Sequence, residues 1–199
     1  MKLPLRFIVT GALLALASLS LSQQPDKAAQ AELAKKYPSL RIQAKVGVRT
    51  RLQDGSSFWK NMFSTPEVIV ESASTQPMAA ASATFLLITM NTAEKYVRGD
   101  EELTIATNES LDIPAVPRGV RRNFEFEPLK TRFDTYRDKS NLGGDVYKYF
   151  IMAVFSDDKQ FLHFETNCPA LDKHLKAHPE LRQKFLGMKP GEKFRTRFQ

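Results

Sequence analysis

From Leu40 to Leu52 the chain reads LRIQAKVGVRTRL, with Leu40, Ile42, Ala44, Val46, Val48 and Leu52 on one parity and Arg41, Gln43, Lys45, Arg49 and Arg51 on the other. Successive side chains of a strand point to opposite faces, so this period of two predicts a long strand with one basic, wet face. Asp54-Gly55 follows as a turn able to take positive φ. Phe58, Trp59, Met62 and Phe63 then form an aromatic cluster ahead of Pro66 and the strand-like EVIVES. The core is the expected place for Trp59, with an exposed recognition platform as the other reading.

Residues 73–83 are small and polar and include Pro77, which predicts an irregular crossing. The run FLLITM at 85–90 is apolar on both parities and suits a strand buried on both faces. LTIAT at 103–107 reads as a short strand and NESLDIPAVPR at 108–118 as turn material. RRNFEF at 121–126 alternates charge with Phe, as a strand with one wet face does. After Gly143-Gly144 comes the clearest hairpin, VYKYFIMAVF at 146–155, the turn SDDKQ and FLHFET at 161–166. A helical interlude follows, with Leu171, Leu175, Leu181 and Phe185 as its apolar positions, Pro179 interrupting it and Gly187 closing it. KFRTRF at 193–198 reads as a last strand. Ahead of all this, DKAAQAELAKK at 26–36 predicts a short helix that stops before Pro38. About eight short strands with little helix between them predict a mainly β, antiparallel sandwich over residues 39–199, preceded by a short helix and linker at 23–38 and carrying a helical insertion before the last strand.

The composition narrows the class. At 199 residues and 22.5 kDa the chain has the size of one domain. Its 29 Lys and Arg against 22 Asp and Glu leave a net charge of +7, a mild excess that favours acidic surfaces. Lys2 and Arg6 precede an apolar run from Phe7 to Leu16 and then Ser18, Ser20 and Ser22, which predicts an export signal over residues 1–22. The protein is therefore expected to be exported, whether periplasmic, outer-membrane-associated or secreted. No later stretch holds the ~18 to 20 apolar residues of a membrane span, so none is expected in the mature chain. No cysteine lies near the cleavage region, which argues against a lipid anchor. The lone Cys168 excludes an intrachain disulfide and is expected to be a buried thiol, with an intermolecular disulfide as the alternative.

Catalytic signatures are missing: there is no G-x-S-x-G elbow, no H-E-x-x-H helix, no S-x-x-K set and no glycine-rich phosphate loop. A non-catalytic protein without a cofactor is the expectation. The soft ligand candidates His163, Cys168, His174 and His178 crowd into sixteen residues. His174 and His178 are four apart and share a face on a continuous helix, so they could grip one metal ion, but the tight C-x2-C half of a zinc site is missing. Arg98-Gly99-Asp100 spells the integrin-binding tripeptide and equally suits a turn between two strands. Arg118, Arg121, Arg122, Lys130, Arg132 and Arg137 lie among Phe124, Phe126, Phe133 and Tyr136. Glu125, Glu127, Asp134 and Asp138 in the same segment would repel a phosphate backbone and argue against nucleic acid. What remains is an amphipathic strand, or a patch for acidic glycans or anionic headgroups in which Arg121, Arg122 and Phe124 are the candidate residues.

In layout, the segments FWKNMFSTPEVIVES, FLLITM, VYKYFIMAVF and FLHFET resemble those of small exported immunoglobulin-like sandwich proteins associated with type IV pilus gene clusters in mucin-degrading gut bacteria. The resemblance spans roughly residues 40–198 and brings no functional residues with it. It implies an antiparallel immunoglobulin-like β-sandwich with a structural or adhesive role at the cell envelope, where the partner is a protein, either a second copy or a pilus-associated component. The Cys…Trp…Cys framework of antibody domains is missing, so the likeness is one of architecture. A binding module for a metal ion or an acidic glycan is the alternative.

Overall fold

The computed structural model describes residues 27–73, 75–93, 101–135 and 143–198. Strands β1 (Leu40–Leu52) and β2 (Trp59–Ser72) form an antiparallel hairpin. The other side of β2 is shared end to end by β5 (Arg121–Glu125) and β6 (Leu129–Asp134), which completes the first sheet. The second sheet runs β8 (Phe161–Thr166), β7 (Asp145–Ser156), β3 (Ala81–Asn91), β4 (Glu102–Ile113) and β9 (Lys193–Arg195), again antiparallel throughout. The two sheets form the sandwich-like arrangement that the alternating patterns predict.

The strand β2 runs unbroken through Pro66, where the sequence suggests an aromatic cluster followed by a separate strand. The reason is local. β6 pairs with β2 as far as Ser64 and β5 begins at Glu67, so Pro66 sits in the gap between them. Its carbonyl accepts from the Phe126 N–H at 3.0 Å on that side, so its missing N–H also points into the gap and the ladder to β1 is intact.

The central strand β3 is buried on both faces, as its apolar run predicts. Phe85 and Leu87 point between the sheets, where they meet Val68, Val70, Phe126, Phe150 and Met152. Phe85 lies 5.3 Å, centroid to centroid, from both Phe126 and Phe150. Leu86, Ile88 and Met90 point the other way, into a second core roofed by α2 (Pro169–Ala177), a 3-10 turn (Pro179–Leu181) and α3 (Arg182–Leu186). Leu171, Leu175 and Phe185 supply its apolar cover, which accounts for the helical interlude.

The N-terminal helix α1 (Lys27–Lys36) is docked. The Tyr37 hydroxyl donates to the Ala80 carbonyl at 2.6 Å, and the Lys36 ammonium lies 3.4 Å from both Asp157 and Asp158 in the β7–β8 turn.

Four expectations are corrected. β4 continues through 108–113, read from sequence as turn material, because Asn108 donates to the Leu186 and Met188 carbonyls and Ser110 meets Thr84 across the ladder. β6 is a strand of its own, and the last strand is only three residues long. Trp59 is half-buried at the start of β2, with the Arg132 guanidinium 4.0 Å over its ring, rather than in the core. Among the described residues no helix is long and apolar enough to cross a membrane. The export signal expected at residues 1–22 lies outside the described residues.

Candidate interaction surface

The predicted ligand candidates are dispersed. His174 lies on α2, but the helix stops at Ala177 and His178 caps it at φ −131° and ψ 68°, so no continuous helix face carries both. Their ring centroids are 5.1 Å apart, with His174 stacked on Phe198 at 4.4 Å and His178 3.4 Å from Glu180. Cys168 is buried at the start of α2 within the second core, and burial raises its thiol pKa above the ordinary value. His163 sits on β8 and meets Glu165 at 3.3 Å. Among the described residues no three His, Cys, Asp or Glu side chains converge as a metal site would require.

Arg98, Gly99 and Asp100 lie outside the described residues, as do Tyr136 and Arg137. The basic aromatic segment is split by the strand alternation. Arg121 pairs in register with Glu71 on the outer face of the first sheet. Arg122 and Phe124 belong to the opposite parity, where Phe124 packs against the first core and Arg122 is exposed. Phe126 is buried against Phe85. The phenylalanines of this segment thus serve packing rather than an open stacking platform.

The first sheet presents two features that only its strand pairing completes. One is its outer face. Register places Arg49 opposite Phe63 and Phe63 opposite Lys130, and Arg51 opposite Asn61 and Asn61 opposite Arg132. Cross-strand partners share a face, so two cations of β1 and two of β6 flank the centre of one sheet surface. Lys130 lies 5.8 Å over the Phe63 ring and Arg132 covers Trp59. None of the four makes an ion pair with a described residue. Beside them is a trough of about 570 Å³ floored by Gly47 and Thr65, with Arg49 and Arg51 at one end and Glu67 and Glu125 at the other. Gly47 opens this trough because it has no side chain. A signal for the arrangement existed in the parity of Arg49, Arg51, Lys130 and Arg132, but only pairing through β2 brings the two rows together.

The second feature is the outer edge of β1, with which no described strand pairs. Pro66 and its partner Val46 form a pair whose backbone groups point away from each other, so alternate residues from Ile42 to Thr50 aim N–H and C=O off the edge. One of these groups is covered, since the Ala44 N–H donates to Glu165 at 3.1 Å. Beyond it Val48 and Leu52 are 44% and 55% exposed, so the hairpin end carries an apolar fringe beside an unpaired edge.

No family model matches the sequence, and no curated protein matches it either. Among solved structures the chain is similar to a crystal structure from Akkermansia muciniphila at 9% identity and a TM-score of 0.34, the match covering 65% of this chain and 71% of that one. It is also similar to an X-ray structure of a structural-genomics target at 9% identity and a TM-score of 0.27, covering 65% of this chain and 85% of that one. Likenesses this slight carry neither fold nor role across to this chain.

Proposed function

We propose that the protein is a non-catalytic, exported component of the cell envelope that acts by binding another protein along the open edge of β1. The observation that carries this reading is the run of backbone groups beyond Ala44 that have no partner among the described residues, flanked by exposed Val48 and Leu52. An edge of this kind accepts an added strand, with main-chain hydrogen bonds giving affinity and alternate side-chain contacts giving selectivity.

The charges on β1 indicate the partner. Two copies pairing edge to edge through β1 would set Lys45, Arg49 and Arg51 against the same row, and like charges opposed across a ladder are destabilising. The complementary occupant is an extended segment of a different envelope protein, acidic on one parity and apolar on the other. A pilus-associated or adhesive assembly is the setting consistent with the layout resemblance.

In-cell crosslinking followed by mass spectrometry tests the reading, with wild type compared against Val48→Pro. Proline removes one edge donor without touching the ladder to β2. Links from β1 to one envelope protein, lost in Val48→Pro, are expected. Links that survive Val48→Pro unchanged, or that map only to other faces, would overturn it.

A further inference from the structure

We infer that the outer face of the first sheet is a binding site for a linear acidic glycan, held by Arg49 and Arg51 from β1 and by Lys130 and Arg132 from β6. Residues two apart on a strand are about 7 Å apart, and strands separated by one neighbour are roughly 10 Å apart. The four cations therefore frame a small rectangle across β1, β2 and β6, with Phe63 and Asn61 between the rows. A sheet holds that spacing rigidly, so repeated negative charges along a polymer meet several cations at once at little ordering cost.

All four side chains are exposed and lack carboxylate partners among the described residues, so no internal ion pair has to break on binding. Each of these exposed charges alone is worth little, but together they concentrate positive potential on one face. Glu67 and Glu125 line the far end of the trough, where Lys45 lies 3.9 Å from Glu67, and Asp54 lines a neighbouring hollow with Lys130 and Arg132 without an ion pair to either.

Other anionic occupants fit less well. A membrane surface calls for projecting apolar side chains beside the cations. The exposed Val48 and Leu52 belong to the opposite parity of β1 and point away from this face. Single-stranded nucleic acid calls for open aromatic faces on which bases stack. Here Arg132 covers Trp59 and Lys130 lies over Phe63.

This inference uses side chains on the sheet face and does not rest on strand addition at the β1 edge. The test measures binding of a heparin oligosaccharide and of hyaluronan by titration calorimetry over a range of salt. Wild type is compared with a variant carrying Arg49→Gln, Arg51→Gln, Lys130→Gln and Arg132→Gln. A second variant removes the same number of charges elsewhere, through Arg118→Gln, Arg122→Gln, Lys159→Gln and Lys184→Gln. Salt-sensitive binding of at least one glycan is expected, about tenfold or more weaker in the first variant and nearly unchanged in the second. Equal losses in both variants would reduce the effect to net charge and overturn the site. So would the absence of glycan binding, or a clear preference for oligo-dT or for phosphatidylglycerol vesicles over both glycans. Val48→Pro is expected to leave glycan binding intact, so this proposal and the edge-pairing reading fail separately.

Discussion

Ala44 and Glu165 lie 121 residues apart on edge strands of different sheets, and a single hydrogen bond joins them, the Ala44 N–H donating to Glu165 Oε2 at 3.1 Å. The same carboxylate oxygen lies 3.3 Å from His163 Nε2. Glu165 thus bridges the open side of the sandwich where β1 and β8 approach. Beyond this point no described strand pairs with the outer edge of β1.

The bond makes stability depend on pH. The His163 hydrogen bond first, and the Ala44 N–H with it, lower the Glu165 pKa below the ordinary carboxylate value against the opposing effect of burial. Because the folded-state value is depressed, this stabilisation is fully present above the ordinary carboxylate value of about 4.3 and is lost as pH falls through the folded-state value. The carboxylate is partly exposed, so solvent screens the effect. Glu165→Gln is expected to cost about 1 kcal/mol at pH 7 and far less near pH 3 in urea unfolding. An equal cost at both pH values would remove the carboxylate from this role.

Gly144 has φ +86°, and a Cβ added there would collide with the Arg132 carbonyl oxygen and the Phe133 Cα. The close approach lets Gly144 bridge to Phe133 and brings Gly143 beside the Trp59 ring. Gly144→Ala is expected to destabilise by roughly 2 kcal/mol or more. Gly119→Ala, with a similar φ of +68° but open space around the added methyl, should cost only about 1 kcal/mol. Thermal melts of the two variants side by side check the ranking, and equal losses would mean that φ alone decides.

The Cys168 thiol is 1% exposed, and burial raises its pKa, so little reactive thiolate is available in the folded protein. Ellman's reagent is expected to label Cys168 only as the protein unfolds, with labelling across a urea series tracking loss of structure. Rapid labelling in native buffer would place the thiol at the surface and reopen an intermolecular disulfide.

Cys168→Ser should cost about 1–3 kcal/mol, because a hydroxyl would replace the thiol among Leu171, Leu175 and Phe185. Urea midpoints of the variant and wild type measure it, and equal midpoints would show that the site tolerates a polar group.

Much of the architecture was legible in the chain because burial on one face or two writes directly into side-chain parity. The thirteen alternating residues of β1, the apolar run of β3 and the β7–β8 hairpin each declared themselves in this way. Pro66 misled because its tolerance depends on a gap between two other strands, which no local pattern records. The polar residues 108–113 misled for a similar reason, since their strand is held by bonds to α3 and to Thr84. Trp59 reads as core from hydrophobicity alone, whereas Arg132, 73 positions away, covers it at the surface. The candidate site divides along the same line. Parity along residues 40–52 already writes a row of cations on one side of β1. That β6 sets Lys130 and Arg132 beside this row, and that nothing described pairs with the outer edge of β1 beyond Ala44, follows from strand order and register, which are properties of long-range pairing that no local pattern encodes.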